Sequence, residues 1–420
     1  HATEIRRIFT DNPNPDFSVI DAVSDGIGWP HLQALLKVES ARNIIAALLA
    51  PSDNQKKALK DQDAWVNESK ELLKASLGLK LKTRAKAWSS ISDELWRFLL
   101  FSDFAFDLPG KLPEALTNVP RAVPEAKPLV VDLCDMLRND RRTQPLYIEK
   151  ADAIEDELNL KAICETINDL GERDTFSFEE RAFLKQSIEA IKQDDIDRTR
   201  KIIQRHAHTV WAGKGEIQAQ WCLVQASLNL IAACDDYERQ LGEYSRNQDV
   251  LIEFYLGSLR EIDRLQREFE ETTNYTIDED FMEDIINKSR GIYRRLVEKV
   301  QVIFTKHLEA SGWPPNNSLS NVDVFDSLVA PKLQESGKRV AYFLVDALRY
   351  ELGVTLQNQL SEEFRVQLQA AFAQLPTVTS VGMASLLPGA GEKLKIEIAD
   401  DNLIPIIDKL QVKTVSQRVN

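Results

Sequence analysis

The residues best placed to do chemistry lie toward the C-terminal end of the 420-residue chain. Asp346 follows immediately on the apolar run Val340-Ala341-Tyr342-Phe343-Leu344-Val345. A carboxylate at the end of a strand can hold a hard or borderline dication. Further on, Thr377, Thr379 and Ser380 offer three hydroxyls in Pro376-Thr377-Val378-Thr379-Ser380, ahead of a helical pattern that runs to Pro388-Gly389. A hydroxyl at a helix N-terminus is exposed, and the helix dipole and free N–H groups there favour a bound phosphate. Carboxylate, dication and hydroxyl are together the parts of a metal-activated alkoxide that attacks phosphorus. Asp and Thr also have a plainer use as helix N-caps, and spacing alone favours that use for Asp346 and Thr379.

Other constellations are weaker. His206 and His208 stand two apart, and an i,i+2 pair diverges on a helix, so no metal pair is expected. Arg198, Arg200, Lys201 and Arg205 could touch phosphate but read better as a solvated face. Gly213-Lys214-Gly215 lacks the preceding strand and the Lys-Ser/Thr ending of a phosphate loop. Cys134, Cys164, Cys222 and Cys234 contain no CxxC pair, which suits reduced, buried thiols rather than a disulfide framework or a zinc knuckle.

The elements that must position these residues fall into two classes. From about residue 30 to 310 the pattern is almost wholly helical. Ala34, Val38, Ala41, Ile45, Leu48 and Leu49 form one apolar stripe, and Trp88, Ile91, Leu95, Trp96, Leu99 and Leu100 form another. A Pro-punctuated excursion near 105–150 (Pro109, Pro113, Pro120, Pro124, Pro128) could divide the helical region into two subdomains. Residues 151–170, 177–193, 195–208 and 216–242 read as helices. Residues 249–271 read as one amphipathic helix with Arg260, Glu261, Arg264, Arg267 and Glu268 facing away, paired in a hairpin with 279–309. The tryptophans Trp29, Trp88, Trp96, Trp211 and Trp221 are expected in the core.

Ser311-Gly312-Trp313-Pro314-Pro315-Asn316-Asn317-Ser318 breaks that register, so 311–330 is read as a linker. Beyond it the pattern turns α/β. Residues 340–345 read as a strand covered on both faces, 347–360 as a helix, and 365–372 as a parallel neighbour strand joined by a right-handed crossover. Residues 393–398 alternate like an exposed hairpin strand, and 403–410 read as a restarted helix. If 340–345 and 365–372 are neighbours, Asp346 and the Thr/Ser cluster open on one crevice at their carboxyl ends. The fold class expected is mainly α: a helical region over 1–310, then the first part of an α/β domain over 331–420.

Hydrophobic residues make up 43% and charged residues 28% of the chain, which suits a soluble globular protein. No apolar run is long enough for a membrane span, and no signal-peptide pattern opens the chain; a cytoplasmic location is expected. The net charge of −14 does not indicate nucleic-acid binding. The chain opens on His1, which suggests that the natural protein starts earlier.

Val345-Asp346-Ala347-Leu348-Arg349-Tyr350-Glu351-Leu352, followed by Pro376-Thr377-Val378-Thr379-Ser380-Val381-Gly382-Met383 and continuing to Gly389, resembles the PglZ family of the alkaline phosphatase superfamily. The resemblance implies that Asp346 is a metal ligand and that Thr379 is both nucleophile and ligand, with Thr377 and Ser380 as weaker alternatives. It further implies a divalent metal, zinc being the expected one. It places the protein in BREX-type anti-phage defence beside a methyltransferase, an ATPase and small accessory proteins. The superfamily completes a two-metal site with further Asp and His ligands downstream of the nucleophile. Here all five histidines precede Asp346, and the residues after Thr379 offer Asp400, Asp401 and Asp408 but no His. The expectation is therefore of a chain that ends partway through its catalytic domain, holds an incomplete site and lacks phosphatase activity by itself. Two other readings stay open: a non-catalytic scaffold whose helices dock partner proteins, and a metal-dependent nuclease or phosphodiesterase.

Overall fold

A computed structural model describes residues 6, 8–10, 13–15, 28–61, 64–81, 87–167, 169–206, 209–275, 280–315, 318–399 and 402–419. His208, Asp400 and Asp401 lie outside the described residues. The chain is mainly helical, with a single three-stranded sheet among the described residues, near its C-terminal end. It divides into two compact units, His1–Val224 with Thr276–Met282, and Gln225–Tyr275 with Glu283–Asn420. Residues 311–330 lie within the second unit.

In the first unit the apolar stripes become the core. The helix Ala41–Leu49 is capped by Ser40, whose hydroxyl accepts from the Asn43 amide at 3.1 Å. Ile44, Ile45 and Leu48 on that helix are completely buried, as are Ile91, Leu95, Trp96, Leu99 and Leu100 on the helix Trp88–Asp107. Two indoles tie these helices together, because a helix leaves its last carbonyls without internal donors. Trp88 Nε1 donates to the Leu48 carbonyl and Trp96 Nε1 to the Leu49 carbonyl, each at 3.0 Å. The Pro-rich excursion folds as the short 3-10 turns Glu114–Leu116 and Pro124–Ala126 and buries Leu116 and Ala122 against the same core.

The expected tryptophans are core or half-buried, and three cysteines are buried. Burial pushes the Cys164 thiol up to about 11, so it stays protonated and unreactive at neutral pH. Cys222 departs from expectation, being exposed on the helix Gly215–Tyr244.

The second unit differs from its sequence reading at four places. The segment expected as one helix over 249–271 is two, Gln248–Phe254 and Glu261–Thr273, joined by a π-turn over Tyr255–Leu259. The helix expected from 347 begins at Tyr350 and runs to Leu360. Residues 340–345 and 365–372 form no strand of a sheet among the described residues; the one pairing in either is a parallel bridge, Ser320 with Phe372. Residues 403–410 are not helical. They supply β2 (Asn402–Ile407), which pairs antiparallel with β1 (Lys395–Ala399) and with β3 (Leu410–Gln411). Asp408 and Lys409 both take positive φ, 49° and 73°, the backbone of a two-residue hairpin turn whose hand matches strand twist. The hairpin strand expected at 393–398 is present as β1.

Candidate functional site

The site is built where the segments 340–345 and 365–372 end. After Val345 the chain makes a tight turn in which Ala347 takes φ 55° and the Arg349 amide donates to the Ala347 carbonyl at 2.9 Å. Asp346 sits in that turn, exposed, its Oδ1 accepting from the Ala347 amide at 3.0 Å. It caps no helix, because Arg349 holds the cap position before Tyr350–Leu360.

Thr379 is also not a cap. Val378 takes that position and Thr379 is the first residue of the seven-residue helix Thr379–Ser385. Val381, Ala384 and Ser385 form the buried face of this helix, which packs against β2. Thr379, on the opposite side, is exposed. A helix of two turns contributes little dipole, so the anion preference expected from its N-terminus is weak.

Asp346 and Thr379 line the same cleft, of about 730 Å³, within the second unit. Thr377 lines it too, whereas Ser380 does not. Tyr342 also lines it and donates from its hydroxyl to the Leu386 carbonyl at 3.0 Å, tying residues 340–345 to the chain just past the helix Thr379–Ser385. Burial raises the Tyr342 phenol, which keeps it a neutral donor.

Sequence reasoning gave no role to a polar layer beside the cleft. Glu351 is buried, its side chain 1% exposed. Its Oε1 accepts from Arg349 Nη2 at 3.0 Å and its Oε2 from Arg267 Nη2 at 3.4 Å. Arg267 was expected to face solvent with the charged side of its helix; it is half-buried on Glu351 instead. Next to this layer, Asp263 accepts from the Tyr255 hydroxyl at 2.7 Å and from the Tyr293 hydroxyl at 3.0 Å. Burial raises both phenols, and the bond to anionic Asp263 raises them further. No local pattern announces these contacts, since Arg267 and Glu351 lie 84 residues apart in sequence.

The donor set falls short of a metal centre. Asp346 offers one carboxylate and Thr379 one hydroxyl, whereas zinc takes four ligands and magnesium six. Among the described residues no group of three or more His, Cys, Asp or Glu side chains is gathered. The residues present therefore do not fit a complete dication site.

The remaining candidates are structural. His206 is buried, its ring stacked on Phe183 with centroids 3.8 Å apart. Arg200 pairs with Asp197 at 3.1 Å and Arg205 with Glu172 at 2.6 Å. No helix among the described residues is long and apolar enough to cross a membrane.

Residues 324–418 match the family model of the BREX system PglZ alkaline phosphatase-like domain. Part of the chain is 42% identical over 67 residues to the alkaline phosphatase-like protein BrxZ of Escherichia coli O9:H4 (strain HS), covering 15% of this chain and 8% of that protein. A longer stretch is 28% identical over 144 residues to the alkaline phosphatase-like protein PglZ of Bacillus cereus (strain H3081.97), covering 33% of this chain and 17% of the relative. The matched stretches thus span less than a fifth of either relative's own length. No solved structure matches the chain significantly.

Proposed function

We propose that this chain belongs to a BREX-type anti-phage defence protein whose PglZ-like domain cleaves a phosphate ester at the cleft of Asp346 and Thr379. The observation that carries the reading is the opening of both side chains on one cleft, inside the span matched by the PglZ family model. Neither is engaged as a helix cap, so both are available for chemistry.

In this reading Thr379 Oγ forms a bond to phosphorus as the ester oxygen leaves. The hydroxyl proton passes to solvent, the leaving oxygen takes up a proton, and water then releases phosphate from the threonine. Asp346 is the carboxylate ligand that a divalent metal, zinc by expectation, would use. The remaining ligands are not among the described residues. The helices of the chain dock the other proteins of the defence system: the methyltransferase, the ATPase and the small accessory protein.

The test is phosphate release from aryl phosphate mono- and diesters by the natural protein carrying this chain, with and without added divalent metal. Thr379→Ala is expected to lower the rate by about a thousandfold or more, as loss of a nucleophile does elsewhere, and Asp346→Asn to abolish the metal dependence. Activity that survives Thr379→Ala sinks the assignment. A natural protein without ester hydrolysis, whose helices still retain defence partners in a pull-down, supports the scaffold reading instead.

A further inference from the structure

Among the described residues that line the cleft, the charged side chains are Asp346 and Arg349; the others are apolar or neutral. Arg349 is 53% exposed while its partner Glu351 is 1% exposed. The carboxylate of Glu351 is shared with Arg267, so two guanidinium groups stand on one buried anion. Arg267 balances Glu351 from one side, so Arg349 does not spend its whole guanidinium on that carboxylate. The pairing with Glu351 also fixes Arg349 at one edge of its fork through Nη2, leaving further N–H donors of the guanidinium free of Glu351.

A planar cation with spare donors, pinned from behind by a buried carboxylate, suits the oxygens of a phosphate group. Pinning matters because a long, loose side chain would lose rotamer freedom on binding. We infer that Arg349 is the phosphate-binding residue of this cleft. Glu351 is the positioning residue that holds it, and Arg267, on the helix Glu261–Thr273, braces Glu351 from outside the matched span of 324–418. The inference rests on the reading of the cleft as a phosphate-ester site and adds the group that recognises the anion.

The experiment is a titration of this chain with inorganic phosphate, followed by phosphorus NMR in the presence of EDTA so that no metal contributes. Arg349→Ala is expected to weaken phosphate binding about ten- to a hundredfold, the range for losing a charge-assisted hydrogen bond. Arg349→Lys should recover part of the loss, because charge is restored without the fork. Glu351→Gln should weaken binding too; since its removal could unfold the segment, Arg267→Lys serves as the milder second variant and should shift affinity at unchanged melting temperature. Equal binding by the parent and Arg349→Ala overturns the inference, and so does a parent that binds no phosphate. Failure of the underlying reading looks different: phosphate binds through Arg349, yet ester hydrolysis by the natural protein ignores Thr379.

Discussion

In the first unit, an apolar side chain in a helical stripe ends in the core; in the second, between residues 340 and 415, many end in water. Trp96, Leu99 and Leu100 are completely buried, whereas Phe343 is 83% exposed, Ile398 77% and Phe364 62%. Both regions are rich in large apolar residues, so composition does not separate them. Partners do. A helix satisfies its own backbone and needs only a neighbour's stripe, which is close in sequence. A strand needs neighbours for its backbone and cover for both faces, and these come from distant chain. Residues 340–345 have the sequence of a strand covered on both faces, but among the described residues they have no ladder, and only Val340, Tyr342 and Leu344 are half-buried while Phe343 and Val345 are exposed.

The charges follow the same division. In the first unit Asp103, which is fully buried, lies 3.0 Å from Arg173 Nε and accepts from Thr175 Oγ1 at 2.7 Å. Arg138 pairs with Asp174 at 3.0 Å and also with Asp135. Asp107 Oδ2 accepts from the Glu172 and Arg173 amides as the chain passes Gly171, where φ is 99° and any side chain would collide with Asp107. These charges are consumed by the fold. Arg349 and Asp346 instead face a cleft.

The sharpest way to break the comparison is to empty the first core. Trp96→Ala removes a completely buried indole and its bond to the Leu49 carbonyl. It should cost about 3–5 kcal/mol, read as a fall in the denaturant midpoint of helical circular dichroism. A loss below about 1 kcal/mol, the level of an ordinary surface change, would mean that this core is not what holds the unit. Next in size is Arg173→Met, which strips Asp103 of its nearest cation; about 3 kcal/mol is expected, as for breaking a buried pair. Asp103→Asn in the same background should recover part of it, because the stranded charge is then gone.

Acid sharpens the contrast in a graded way. Burial raises the carboxyls of Asp103, Asp174, Glu155 and Glu179 in the first unit. A raised carboxyl binds its proton more tightly when folded, so its contribution to stability falls as pH climbs above about 4 and is recovered in acid. Asp135 runs the other way, lowered by Arg138 and Arg173 against its burial. In the second unit Glu261 and Glu270 are lowered, chiefly by hydrogen bonds from Arg264 and Arg290. What they contribute is present above about pH 4 and is lost as pH falls through their folded values. Both pairs are partly exposed and screened, so less than about 1 kcal/mol each is expected. Amide exchange, corrected for intrinsic rates, should show helix Glu261–Thr273 losing protection as pH falls below about 4, before helix Trp88–Asp107 does. The reverse order would contradict the assignment.

Legibility in the sequence tracks the range of the interactions. The stripe Ile91, Leu95, Trp96, Leu99, Leu100 is local and was readable. So was the alternation that became β1. The stretch 403–410 was misread because Leu403, Ile404, Ile406 and Ile407 suit either a helix face or a buried strand. Pro405 and the Asp408-Lys409 turn were the available signals for a strand. Residues Asp346 and Thr379 were readable as candidates because polar groups at element ends stand out. Glu351 and Arg267 were not, since a buried ion pair across 84 residues leaves no periodic trace.

The smallest expected effect tests the exposed side of the comparison. Phe343 lies in the run 340–345 and lines the cleft. A phenyl ring fully buried from water contributes about 1.5–3 kcal/mol, and at 83% exposure little of that is realised. Phe343→Ser should therefore change stability by no more than about 0.5 kcal/mol, as at an ordinary surface position. Replacing Trp96 with a residue of the same size change costs several times more, although both residues are large and aromatic. A chemical denaturation curve of the Phe343→Ser chain decides the matter. If the midpoint falls as far as a buried phenyl requires, this ring is covered in solution, and the contrast between the units belongs to their partners rather than to their sequences.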